Sequence, residues 1–76
     1  MQSLTVSLDS IEKIRKFVTI ISTIDGDFDL VSDRYVVDAK SIMGIFSLDL
    51  SKPLRLDVHN DDVAEKAAGL LEAFTV

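Results

Sequence analysis

Apolar spacing along this chain keeps switching between two periods. In residues 4–8, LTVSL, hydrophobic side chains recur at every second position, which puts Leu4, Val6 and Leu8 on one face of a strand. Directly afterwards Ile11, Ile14, Phe17, Val18, Ile21 and Ile24 recur about once per helical turn, a stripe with Lys13, Arg15, Lys16, Thr19 and Ser22 mostly opposite. Asp9 followed by Glu12 has the spacing of a capping box and marks the start of this helix. Glu12 and Lys16 add a favourable i,i+4 pair, and Ile20 falls off the stripe, where it is expected to be partly exposed. Residues 28–32 (FDLVS) and 35–39 (YVVDA) alternate again on either side of Ser32-Asp33-Arg34 and read as a hairpin. Phe28, Leu30, Tyr35, Val37 and Ala39 are expected inside, with Asp27, Asp29 and Asp38 toward solvent.

The next segment, SIMGIFSL, is too short for a long amphipathic helix. Ser41 is a good N-cap, however, and about two turns can form behind it. Gly44 in their middle costs roughly 1 kcal/mol of helix propensity relative to alanine, so something other than propensity must favour it. Ile45 and Leu48 are expected to pack inward, leaving Ile42, Met43 and Phe46 near the surface. Pro53 closes the following loop. LRLDV then alternates, with Leu54, Leu56 and Val58 inward and Arg55 and Asp57 outward. NDDVAEKAAGLLEAF ends the chain as a helix capped by Asn60 or Asp61, with Val63, Ala67, Leu70, Leu71 and Phe74 on its inner face. The order is β-α-β-β-α-β-α. Strands that each bury one face suit a four-stranded antiparallel sheet with three helices on one side, an α+β open-faced sandwich.

Composition bounds the functional classes. With 76 residues and 47% hydrophobic content, one domain over residues 1–76 is expected. Chains of this size bury roughly 60% of their unfolded surface. Cysteine is absent, which excludes disulfides, thiolate metal sites and thiol nucleophiles. The N-terminal residues lack the basic-then-apolar order of a signal peptide, and no apolar run approaches the ~20 residues of a transmembrane helix, so a cytoplasmic protein with no membrane contact is expected. Net charge is −5, and the eight basic residues are scattered among acids, so nucleic acid is not an expected partner.

Few residues offer chemistry. Asp25, Asp27 and Asp29 alternate as a calcium loop begins, but Leu30 and Val36 stand where that loop needs glycine and glutamate. They read instead as the turn and solvent face of a strand. His59, the single histidine, lies where the last strand meets the final helix, without a second imidazole or a nearby nucleophile. It reads as exposed and structural. No G-x-S-x-G, P-loop or G-x-G-x-x-G occurs, so neither an enzyme nor a bound cofactor is expected. Ser41 carries a second reading beside its capping role. Phosphorylating an N-cap serine adds nearly two negative charges next to donors that welcome them, and changes the surface beside Ile42 and Met43.

The segment AKSIMGIFSLDL resembles the region of the regulatory serine in the HPr family, the small phosphocarriers of the bacterial phosphotransferase system. Residues 4–50 fit that family without gaps, and the C-terminal helix fits with about a one-residue adjustment. The resemblance implies the same β-α-β-β-α-β-α order. It places Ser41 on the serine that an ATP-dependent HPr kinase/phosphorylase modifies in Gram-positive members, and Ile42, Met43 and Phe46 on the surface that docks partner proteins. The family's carrier segment, G-[IL]-H-x-R-P, departs from the pattern here. LDSIEK puts Ser10 at the phosphoryl-carrying histidine, Glu12 at the arginine and Lys13 at the proline. Serine forms no labile phosphoramidate, and a carboxylate repels a phosphoryl group. The resemblance therefore implies a relative without carrier chemistry, like the histidine-lacking members that act in regulation and bind a transcription regulator when serine-phosphorylated. The rivals are a true sugar-system phosphocarrier and a purely structural domain that dimerises through Ile42, Met43 and Phe46.

Overall fold

The computed structural model describes residues 1–76. Its elements are β1 (Gln2–Val6), α1 (Ile11–Ile21), β2 (Phe28–Ser32), β3 (Tyr35–Asp38), α2 (Ile42–Phe46), β4 (Leu54–Val58) and α3 (Asp61–Leu70), followed by a 3-10 turn at Glu72–Phe74. The strands form one sheet in the order β1-β4-β2-β3, with every neighbouring pair antiparallel. The three helices cover the face that carries Val6, Leu30, Leu54, Leu56 and Val58, and the core forms between them. This is the open-faced α+β sandwich that the alternating strands predict.

Period assigns most of the core correctly. Ile14, Phe17, Ile21 and Ile24 are buried from α1 and the turn after it, Phe28 and Leu30 from β2, and Ile45 and Leu48 from the α2 region. Phe17 meets Phe74 edge-on, with ring centroids 5.8 Å apart at 87°, which ties α1 to the C-terminal turn. The β2–β3 turn has Asp33 at φ 54°, a left-handed conformation that aspartate tolerates. Gly26, at φ 136°, lets the α1–β2 loop approach Asn60. A Cβ at Gly26 would lie 2.9 Å from the Asn60 Oδ1 that accepts the Asp27 N–H at 2.8 Å.

Several expectations are corrected where elements meet. The α1 cap is Ser10, in extended conformation with its Oγ accepting the Lys13 N–H at 3.1 Å, rather than Asp9. Asp9 instead pairs with the Lys13 ammonium at 2.9 Å. Asn60 occupies the N-cap position of α3 but spends its side chain on the α1–β2 loop and makes no capping bond. Ile11 is exposed because the buried stripe of α1 begins one turn later, at Ile14. Tyr35 is exposed at the turn end of edge strand β3. Leu70 is also exposed, and Ala64 takes its place inside, since Ala64, Ala67 and Leu71 define the inner face before the 3-10 turn swings Phe74 inward. Leu8 is buried as expected, although β1 ends at Val6, where pairing with Leu54 of β4 stops.

Candidate functional site

Two helix starts carry the residues singled out by sequence. At α1, the Ser10 backbone carbonyl accepts the Ile14 N–H while its hydroxyl accepts the Lys13 N–H, so both oxygens serve the first turn. The charges around it are paired locally. Asp9 meets Lys13 at 2.9 Å and Glu12 meets Lys16 at 3.6 Å. A hydrogen bond from Lys13, and then its positive charge, hold the Asp9 carboxyl below the usual carboxylate range. No imidazole is present, and the nearest cations already face carboxylates.

At α2, Ser41 is exposed, and its Oγ accepts the Gly44 N–H at 3.2 Å. Its backbone is fixed on both sides, with its N–H donating to Asp38 O and its carbonyl accepting from Ile45. Lys40, its neighbour, is turned away. The Lys40 Nζ donates to Ile24 O at 2.7 Å and lies 5.4 Å from the centre of the Phe28 ring, which clamps the start of α2 to the loop between α1 and β2. The role of Gly44 follows from the packing of α2 on β3. A Cβ there would sit 3.2 Å from the Val37 Cβ and 3.3 Å from the Ser41 Oγ. Close approach is what offsets the lost helix propensity, and it also leaves the serine's acceptor geometry undisturbed. Ile42 is half-buried, while Met43 and Phe46 are 77% and 44% exposed, as the spacing predicts. After α2, Asp49 accepts both the N–H and the hydroxyl of Ser51, and these bonds lower its pKa.

Three aspartates line up on the helix-free face at one end of the sheet. Asp38, Asp29 and Asp57 are direct cross-strand neighbours along β3, β2 and β4. Like charges side by side are unfavourable, and the neighbours offset them. Arg55 donates two hydrogen bonds to Asp57, Ser3 donates a third at 2.8 Å, and His59 Nε2 lies 2.7 Å from Asp29 Oδ2. Asp57 points outward as expected yet is only 6% exposed, because these side chains lie across it. Burial is the strongest single influence and works to raise its pKa. The Arg55 and Ser3 hydrogen bonds, with the Arg55 and His59 charges, together outweigh it and leave the carboxyl low. A cleft of about 530 Å³ adjoins this region, lined by Gly26, Asp27, Phe28, Asp29, Asp38, Lys40 and His59. It contains neither Ser10 nor Ser41. His59 is exposed at the rim of this cleft, as expected, and is held by Asp29 and by its backbone N–H to Asp27 O. No group of three or more Asp, Glu or His side chains is placed to hold a metal ion. No helix is long and apolar enough to cross a membrane.

No protein-family model and no curated protein matches the sequence. Solved structures do. The chain is similar to HPr-C-His from Thermoanaerobacter tengcongensis, with a TM-score of 0.80 and 29% identity over 96% of this chain and 89% of that one. It is similar also to the phosphocarrier protein HPr from Bacillus anthracis, with a TM-score of 0.73 and 28% identity over 99% and 94% of the two chains. The sheet order and the three helices are shared with these HPr structures. The chain has an HPr-like fold, and its likeness to these proteins covers nearly its whole length.

Proposed function

We propose that this chain is a regulatory, protein-binding member of the family rather than a phosphoryl carrier or an enzyme, working in the cytoplasm with Ser41 as its phosphorylation switch. The observation that carries the reading is the contrast between the two helix starts. Ser10 stands at the carrier position with its hydroxyl committed to the Lys13 N–H and Glu12 beside it. Ser41 is exposed next to side chains that a partner can grip.

A phosphate on Ser41 keeps an acceptor oxygen for the Gly44 N–H, so α2 tolerates the modification. Its added charge lies beside Ile42, Met43 and Phe46, the docking residues. Lys40 is occupied by Ile24 O and offers the phosphate no internal partner, which leaves the new charge free for a cationic group on another protein. The expected partners are an HPr kinase/phosphorylase and a transcription regulator that binds the phosphorylated form.

Incubation with ATP and an HPr kinase/phosphorylase tests the switch. Phosphate should map to Ser41, and Ser41→Ala should take up none. Equal uptake by wild type and Ser41→Ala would refute it. The similarity to the Bacillus anthracis phosphocarrier keeps a carrier role as the second reading. Acid-labile phosphate gained from phosphoenolpyruvate and enzyme I would establish that role instead.

A further inference from the structure

Two aliphatic side chains break the patterning of their own helices, and they break it toward the same place. Ile20 lies off the buried stripe of α1, and Leu70 is 46% exposed at the end of α3. Both line one groove of about 390 Å³ together with Arg15, Lys16, Thr19, Ala73 and Phe74. Phe74 is fixed by its edge contact with Phe17, so that part of the lining is rigid.

Charge sets this groove apart. The chain carries 13 acidic residues, and each of the other two clefts includes at least one aspartate in its lining. Here no carboxylate lines the wall, and both charged residues are cations. Arg15 forms no ion pair. Lys16 has only the exposed 3.6 Å contact with Glu12, a pair weak enough to exchange for another carboxylate. Ser41, Met43 and Phe46 lie outside this lining, so the groove is separate from the surface assigned above.

We propose that the groove between α1 and the C-terminal end of α3 is a second docking site. Its occupant is a partner-protein segment that seats aliphatic side chains on Ile20, Leu70 and Phe74 and turns carboxylates toward Arg15 and Lys16. The apolar lining supplies the anchor, while the cations select an acidic sequence against a basic one.

The unphosphorylated protein is titrated with a short acetylated peptide of leucine, alanine and glutamate, its leucines at helical spacing. A matched peptide has every glutamate replaced by lysine. Amide NMR resonances of Ile20, Leu70 and Ala73 should shift saturably with the glutamate peptide and stay in place with the lysine peptide. Arg15→Glu and Leu70→Ser, both at exposed positions, should each weaken binding about tenfold, while Met43→Ser leaves it unchanged. Equal binding of both peptides, binding of neither, or shifts centred on Met43 and Phe46 would overturn the proposal. Groove shifts that follow protein concentration alone would overturn it too, assigning the groove to a second copy of the chain. None of these outcomes depends on Ser41, so the switch stands or falls separately.

Discussion

Gly44 shows how a single residue can look unfavourable in sequence and be required in space. Its hydrogen leaves room for the Val37 Cβ, which belongs to a stiff β-branched side chain on a neighbouring strand. Gly44→Ala gains about 1 kcal/mol of helix propensity and loses more to crowding, so a net destabilisation of about 1 kcal/mol is expected in urea unfolding. Adding Val37→Ala should recover part of that loss in a double-mutant cycle. Asp57 is a second case, since outward parity was readable and burial was not. Its depressed pKa means that its stabilisation is present in full above the ordinary carboxylate value and disappears as pH falls through the folded-state value. Asp57→Asn should therefore cost about 1 kcal/mol at neutral pH, and the gap to wild type should close in acid, as paired denaturation curves would show. Arg55 lies in the same strand as Asp57, but the Val37 contact of Gly44 and the Ser3 bond to Asp57 come from distant segments. Spacing within a segment carries no trace of them.

At the scale of elements, the strands and the two longer helices were legible in the switch of period, α2 only in its serine cap, and the errors lie at ends and edges. The spacing of Asp9 and Glu12 points to Asp9 as the cap of α1, and the structure gives Ser10. Ser10 takes the role because the Asp9 carboxylate has Lys13 to pair with. Ser10→Ala should cost about 1 kcal/mol by chemical denaturation, the usual worth of an N-cap. The C-terminal helix misled differently. Leu70 fits an inner face by hydropathy, but the alanines at 64 and 67 let α3 lie close to the sheet, and the chain then tightens into a 3-10 turn that redirects Phe74. Because Phe74 closes the core against Phe17, Phe74→Ala should lose about 3 kcal/mol or more, whereas Leu70→Ser should stay within about 0.5 kcal/mol of wild type. Denaturant midpoints of the two variants give the comparison directly.

For the whole molecule, alternation and chain length led to one sheet with helices on one face, because one-sided strands leave few other ways to bury so much apolar surface. The order β1-β4-β2-β3 was not written in period, since alternation says which face a residue takes and nothing about which strand lies beside it. The candidate site was legible only in part. KSIMG marked Ser41 and the side chains after it, of which Met43 and Phe46 are exposed, whereas the reading of LDSIEK rests on the resemblance. The clamp from Lys40 to Ile24, the aspartate row and the convergence of Ile20 with Leu70 all join distant segments and required the fold. The central claim is that phosphate enters this protein through a regulatory serine and no longer through a carrier position. Intact-mass measurement with site mapping, after exposure in parallel to phosphoenolpyruvate with enzyme I and to ATP with an HPr kinase/phosphorylase, tests it most directly. A single phosphate on Ser41 from the second mixture and none from the first is the expected result. Phosphate gained from phosphoenolpyruvate, or a Ser41 left unmodified by the kinase, would contradict the account.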